Sequence, residues 1–317
     1  MSRVPLQARA VPGDANIPPD FSVDLTYMTK PLDLETFYER TLLALLYEAT
    51  QDFYAKSLGY FGQDEEDLTI VILPGRTQVA SGPSLQNSHI VWALQKVAEA
   101  MRLDAHYVEV DGLIKASRSQ PNDEDTGRVG NYFARMRGVV DGSAKRDLPA
   151  HQCPTIAANK TYHFPDDLPP FLRASLTANS TAAANALRPF RFDVSQPRHG
   201  SNLDRVSVFL TATRAVARVA EVPAEDPLRI YTWADSELGL ACHTYGYPDR
   251  RNPIAQQVAT GFVWLTRFMI ETGCFSETFG TLYVKNDDDE DEELAFMDIK
   301  VYHPVEDERG TQGVEIS

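Results

Sequence analysis

The chain has 317 residues, 43% of them hydrophobic, so it is long enough to build cores for two domains of ordinary size. Its 45 acidic residues outnumber its 30 basic ones and give a formal charge of −15. This balance argues against a general surface for nucleic acid or for an anionic membrane, because phosphate binding needs clustered Lys and Arg. The sequence contains neither a run of roughly 20 apolar residues nor an apolar leader, so we expect a cytoplasmic protein.

Residues 1–19 hold four prolines and predict a flexible arm. Residues 21–27 then alternate in the manner of a strand, and Asp33 is a predicted N-cap for the helix that follows. A weak strand is predicted at 58–61. Residues 68–73 form a nearly continuous β-branched run, which predicts a strand buried on both faces.

The first unit is organised around a helix predicted at residues 88–103. Ile90, Leu94, Val97 and Met101 recur there at helical spacing and predict one face that packs on a sheet.

A hairpin is predicted after this helix, from strands at 105–110 and 113–117. The Asp111-Gly112 pair between them is typical of a type I′ turn. The first unit is therefore predicted to span residues 20–117.

Residues 118–188 break the pattern and predict a linker or insert, in which residues 129–140 could form a docked helix. The densest basic cluster of the chain lies here. We interpret it as a solvated face, and nucleic-acid or phosphate binding is the alternative. Its members are Arg128, Arg135, Arg137, Lys145 and Arg146.

A second unit is predicted at residues 189–304, followed by a disordered tail at 305–317. It repeats the order of the first unit, and an acidic run at 287–293 replaces the Asp-Gly turn. Its predicted elements are a strand at 190–194, a helix at 203–220, a hairpin from 228–233 and 238–245, a helix at 255–272, and a second hairpin from 278–285 and 294–302.

The offset between matching positions grows along the chain, which predicts a duplication with small loop insertions. It is 190 − 21 = 169 at the first strands, 264 − 92 = 172 at the tryptophans and 283 − 107 = 176 at the Tyr-Val pairs. The alternative is two unrelated α+β segments with a similar element order.

This plan of strand, Leu-led helix, hairpin, Trp-bearing helix and hairpin resembles that of some uncharacterised filamentous-fungal proteins. The resemblance covers residues 21–117 and 190–302, rests on pattern rather than on a diagnostic motif, and implies no activity or site. We predict an α+β fold of two tandem similar units, each a mostly antiparallel sheet with two helices on one face.

The sequence predicts no metal site and no cofactor. Its seven histidines form no H-x-x-x-H or H-E-x-x-H pair, and the acidic run at 287–293 lacks the glycine and ligand spacing of a calcium loop. Glycine-rich phosphate loops and G-x-S-x-G elbows are also missing from the sequence.

The three cysteines are widely spaced, a usage that suits a reducing compartment. We interpret Cys242 and Cys274 as small buried core residues and Cys153 as an exposed thiol.

The leading functional hypothesis is a non-enzymatic protein that associates with itself or with a protein partner, because open sheets leave strand edges to be paired or covered. The alternative is a small-molecule enzyme or ligand-binding protein with a pocket between the two units. Its site would use the loops before the two central helices, where free N–H groups favour anions. The candidate binding residues are Arg76, His89, His243 and Arg250.

Overall fold

The computed structural model describes residues 17–62, 68–75, 84–105, 107–116, 128–136, 159–170, 172–173, 189–197, 200–286 and 289–303. The chain divides into two compact units, residues 1–146 and 147–317. Each unit combines one antiparallel sheet with two long helices, so the predicted α+β fold of two tandem units is confirmed. The predicted tail and all but residues 17–19 of the predicted arm lie outside the described residues.

The described part of the first unit forms a five-stranded sheet and two helices. Its elements are β1 (Ser22–Pro31), α1 (Leu34–Glu48), β2 (Tyr60–Gly62), β3 (Leu68–Pro74), α2 (Asn87–Leu103), β4 (Val108–Lys115) and β5 (Arg128–Met136). The strand order is β1-β4-β5-β3-β2, and every neighbouring pair is antiparallel.

The described part of the second unit forms a six-stranded sheet and two helices. Its elements are β6 (Asn159–Phe164), β7 (Phe190–Ser195), α3 (Arg205–Val219), β8 (Ile230–Asp235), β9 (Leu240–Gly246), α4 (Ala255–Thr272), β10 (Thr278–Lys285) and β11 (Asp291–Val301). The strand order is β6-β7-β10-β11-β9-β8, again with antiparallel pairs throughout.

The two sheets have the same strand order once β6, which lies outside β7, is set aside. The first helix of each unit also begins in the same way. Asp33 accepts the Thr36 N–H, as predicted for an N-cap, and Asp204 accepts the Ser207 N–H. Each cap satisfies a backbone donor that the first helical turn leaves unpaired.

The offset between equivalent positions does not rise along the second half of each unit, contrary to the prediction. The N-caps of α2 and α4 are Gln86 and Ile254, so the offset there is 254 − 86 = 168. Gly112 pairs with β1 as Gly280 pairs with β7, which again gives 280 − 112 = 168.

Trp92 and Trp264 are consequently not equivalent. At an offset of 168, Trp92 matches Thr260, one helical turn before Trp264. A residue one turn away lies on the same helix face, and this is why the two tryptophans could be mistaken for a matching pair.

The predicted turn at Asp111-Gly112 is wrong, because both residues lie inside the continuous strand β4. A Cβ atom on Gly112 would lie 3.0 Å from Val23 Cγ1 and 3.1 Å from Tyr132 Cβ. The glycine therefore permits close packing of neighbouring side chains on the sheet rather than a reversal of the chain.

The predicted linker contains strands of both sheets. β5 pairs with β3 and β4, at the place where a docked helix was predicted, and β6 pairs with β7.

The strand predicted at 68–73 is confirmed as β3, but its burial on both faces is not. Alternate β3 residues are only half-buried or exposed, because the helices cover a single side of the sheet.

Helix α4 packs directly on one side of the second sheet. Its Trp264 ring lies 5.4 Å from the ring of Phe190 and 5.3 Å from that of Tyr162. A Cβ atom on Gly261 would lie 2.4 Å from Met297 Sδ, so a larger residue here would require the end of the Met297 side chain on β11 to move. None of the helices among the described residues combines the length and apolarity that crossing a membrane requires.

Candidate functional site

Three of the four predicted binding residues are among the described residues. Arg76 lies outside the described residues. His89 belongs to the first unit, whereas His243 and Arg250 belong to the second.

His89 is the third residue of α2 and is 8% exposed. Its Nδ1 accepts the Gln86 N–H at 3.2 Å, which requires a neutral imidazole. Burial lowers the pKa of His89, and this favours the same neutral form. In the second unit, Gln257 Oε1 accepts the Ile254 N–H at 3.0 Å. A glutamine makes the equivalent contact in α4, so His89 has a helix-capping role, and its role in ligand binding stays a prediction.

His243 lies on β9 and is 1% exposed. Its Nδ1 is 2.7 Å from Asp298 Oδ1, and its ring stacks on Tyr245 at 5.6 Å. The His243 and Asp298 positions face each other across the β9–β11 pair. The equivalent pair of the first sheet is Val71 and Phe133, so an ionisable pair replaces an apolar one.

Arg250 lies in the loop after β9, where its side chain is 56% exposed. Its Nη1 is 3.8 Å from Glu292 Oε1. The same loop lines an open hollow of about 480 Å³ with Tyr247 and Glu293. The Tyr247 hydroxyl donates to Glu293 Oε1 at 2.7 Å, and this bond to a carboxylate raises the pKa of Tyr247 to about 12.

Four aromatic side chains lie on the sheet side opposite α3 and α4. They alternate with the buried residues that face the helices, and Tyr245 is 37% exposed while the others are half-buried. The rings of Phe279 and Phe296 stack at 5.7 Å. We name this surface the aromatic face and define it by Tyr245, Phe279, Tyr283 and Phe296.

Charged residues border the aromatic face at β7 and the β10–β11 turn. The Arg191 guanidinium lies 4.3 Å from the centre of the Tyr283 ring and also pairs with Asp291. Lys285 Nζ is 3.3 Å from an oxygen of the same Asp291 carboxylate. Together with His163 and other residues, these side chains line a hollow of about 310 Å³.

A third hollow of about 390 Å³ lies beside β6 and β7. Here the Thr161 hydroxyl donates to Asp193 Oδ1, and Arg191 Nη2 is 3.3 Å from Asp193 Oδ2. Thr161 and Asp193 of this hollow, like Arg191, Lys285 and Asp291 of the previous one, thus contact other side chains of the protein. Across the described parts of the chain, no group of three or more His, Cys, Asp or Glu side chains is placed to hold a metal ion.

The basic cluster predicted at residues 128–146 is only partly described. Arg135 Nη2 lies 2.5 Å from Asp111 Oδ1, and its Nη1 lies 3.4 Å from Glu109 Oε2. Arg128 donates to Asn131 Oδ1. Arg137, Lys145 and Arg146 lie outside the described residues. The two described arginines thus interact with β4 and β5 side chains.

The cysteines differ in chemical state. Cys242 is a free, fully buried thiol, and burial raises its pKa well above the ordinary value. Cys274 is buried, as predicted, but it is disulfide-bonded and not a free thiol. Spacing along the chain carried no signal for that bond. Cys153 lies outside the described residues.

Comparison with known proteins leaves the chain without a family. No protein-family model matches it, and no curated protein matches it. One similar solved structure is the tandem DUF26 ectodomain from the Arabidopsis thaliana cysteine-rich receptor-like protein PDLP5. It is 8% identical, the match covers 88% of this chain and 98% of that one, and the TM-score is 0.21. A TM-score this low carries no inference, and the resemblance to filamentous-fungal proteins stays a prediction.

Proposed function

We propose that the protein acts by association, with itself or with a protein partner, and that the aromatic face of the second unit is the contact surface. The observation that carries this proposal is the set of half-buried rings on the side of the sheet away from α3 and α4. Tyr and Phe are enriched in protein interfaces because they bury a large area with little loss of conformational entropy.

The border of the aromatic face also supports association. Arg191, Lys285 and Asp291 form a polar rim of the kind that surrounds an apolar interface centre. In addition, β6 and β8 are the edge strands of this sheet, and an edge strand offers backbone groups to another chain.

The test compares the solution mass of the wild type and of Tyr245→Lys by light scattering over a concentration series. A lysine at this position would place an unpaired charge in the interface centre, so the oligomer should dissociate at higher concentrations than in the wild type. Leu73→Lys is the matched control, because Leu73 is 45% exposed at the position equivalent to Tyr245 on the first sheet.

An oligomer whose mass is unchanged by Tyr245→Lys and by Phe296→Lys would exclude the aromatic face as the self-association surface. A wild type that is monomeric at every concentration would exclude self-association. Binding to a different protein would then be tested by a capture experiment. Tyr245→Lys should fail to capture a protein that the wild type and Leu73→Lys both capture. Equal capture by all three would refute it.

Ligand binding between the units stays a prediction. His89 acts as a helix cap and His243 pairs with Asp298, so these contacts give that hypothesis no added support. Nucleic-acid binding likewise stays the disfavoured alternative, and the question of catalytic activity stays open with a leaning toward none.

We retain the cytoplasm as the proposed compartment. The disulfide at Cys274 counts against it, because stable disulfides are typical of oxidising compartments. Mapping the thiols of protein isolated from its native cells would decide this point.

A further inference from the structure

The core of the first unit contains an isolated carboxyl group. Glu48 is the last residue of α1 and is 1% exposed. Both of its carboxylate oxygens are buried and lack a hydrogen-bond partner among the described residues. The N-caps of α1 and α3 differ by 204 − 33 = 171, so the equivalent residue of the second unit is Val219, which is also buried. A carboxyl group thus occupies a position that the same architecture fills with an apolar side chain.

The surroundings of Glu48 disfavour a negative charge. The end of a helix carries partial negative charge, and removal from water penalises the ionised carboxylate further. Burial accordingly raises the pKa of Glu48 well above its ordinary value.

Among the described residues, the titratable groups around this carboxyl centre on Tyr60. Tyr60 of β2 interacts with it, and Arg40, Tyr47 and Tyr132 surround Tyr60. Burial raises the pKa values of Tyr60 and Tyr132 far above the ordinary value, so these phenols stay neutral through the range in which Glu48 would ionise.

We propose that Glu48 is a proton-dependent switch, uncharged in the folded first unit, whose ionisation at alkaline pH opens the end of α1 and the segment that follows it. An ionised carboxylate must reach water, and Glu48 can do so only if the last turn of α1 unwinds.

The segment after Glu48 would transmit this opening to α2. Ser88 N–H donates to the Phe53 carbonyl at 2.8 Å, and Asn87 N–H donates to the Ala55 carbonyl at 3.1 Å. The Phe53 ring also packs edge-on against Trp92, with centres 5.9 Å apart. Movement of residues 49–57 therefore removes contacts from the beginning of α2.

The direction of the effect follows from proton linkage. The folded state holds the Glu48 proton at pH values where the unfolded or opened state has released it. The stabilising contribution is therefore complete below the ordinary carboxyl pKa and is lost as pH rises through the folded-state pKa. The opening equilibrium should increase by about tenfold per pH unit for a single proton.

Hydrogen exchange followed by mass spectrometry tests the switch on the full chain. The wild type is compared with Glu48→Gln and Glu48→Val at each pH between about pH 7 and about pH 9.5, a range above the ordinary His pKa. Comparison at equal pH cancels the intrinsic pH dependence of exchange. Residues 44–60 of the wild type should lose protection progressively relative to both variants. Residues 215–231, at the end of α3, should not differ among the three proteins.

Either of two results would overturn the proposal. In the first, the difference in hydrogen-exchange protection of residues 44–60 between the wild type and both variants does not change with pH. In the second, residues 44–60 of both variants lose protection with rising pH as much as those of the wild type. Glu48→Val keeps the test decisive if the amide of Glu48→Gln is poorly tolerated, because valine is the residue that the second unit places at this position.

Discussion

Replacing His89 with glutamine should preserve the stability of the first unit at neutral pH and make it less sensitive to acid. The glutamine would accept the Gln86 N–H as Gln257 accepts that of Ile254. Loss of a side-chain cap costs about 1 kcal/mol, so His89→Ala should lower the free energy of unfolding by about that amount while His89→Gln should not.

The acid effect follows from the lowered pKa of His89. Below the ordinary His pKa of about 6.5 the unfolded chain binds a proton that the folded state resists. The stabilising contribution of the cap is therefore complete above that pH, and it is lost as pH falls through the folded-state pKa. Once protonated, Nδ1 becomes a donor and can no longer accept the Gln86 N–H.

Urea unfolding would measure both effects, with hydrogen exchange of peptides from α2 and α4 following the two units separately, because the fluorescence of Trp92 overlaps that of Trp233 and Trp264. The wild type, His89→Gln and His89→Ala are compared at about pH 7.5 and about pH 5, on either side of the ordinary His pKa. The reciprocal control, Gln257→His, should bring acid sensitivity to the second unit. A His89→Gln variant that loses as much stability as His89→Ala at neutral pH, or that keeps the full acid dependence, would refute the capping role.

Two further predictions concern the second unit. Asp235→Asn should destabilise it by about 3 to 5 kcal/mol in urea unfolding, because it removes a carboxylate charge beside the buried Arg214 guanidinium. Adding Arg214→Leu should restore most of the lost stability, because the first unit has a leucine, Leu43, at the equivalent position. A double variant as unstable as Asp235→Asn would contradict the coupling between Arg214 and Asp235. Alkylation in denaturant without reductant should modify Cys242 but leave Cys274 unmodified until reductant is added, whereas equal modification of both would exclude the disulfide.

Local sequence signals predicted the helices and their beginnings well. The N-cap at Asp33 and the apolar periodicity of α2 and α4 are properties of short segments, and α3 and β10 also form where the pattern predicted them. The two-unit plan could be recognised because both halves repeat these local signals in the same order.

Local sequence signals could not decide whether Asp111-Gly112 forms a hairpin turn or lies within a strand. The same dipeptide suits a tight turn and a crowded strand, and only contact with Val23 and Tyr132 decides between them. For the same reason β5 could be mistaken for a helix, since its strand state depends on pairing with both β3 and β4.

The candidate residues show the same division. His89 and His243 became candidates because histidine is a common binding residue. The partner of His243, Asp298, lies 55 positions further along the chain, and the two side chains come into contact only through the register of β9 and β11. The aromatic face also depends on register, because a shift of one residue would turn its rings toward α4. Glu48 gave no signal of its own, since a glutamate at the end of a helical stripe is ordinarily solvated.

By itself, the sequence determined the class of fold, the number of units and the positions of the four long helices, because periodicity and capping act over a few neighbouring residues. Only the tertiary structure decided the strand order, the use of residues 128–136 and 159–164 as sheet strands, and the partners of the buried charges. These features depend on hydrogen bonds and contacts between segments that are distant in the chain, and their free energies arise only when the segments meet.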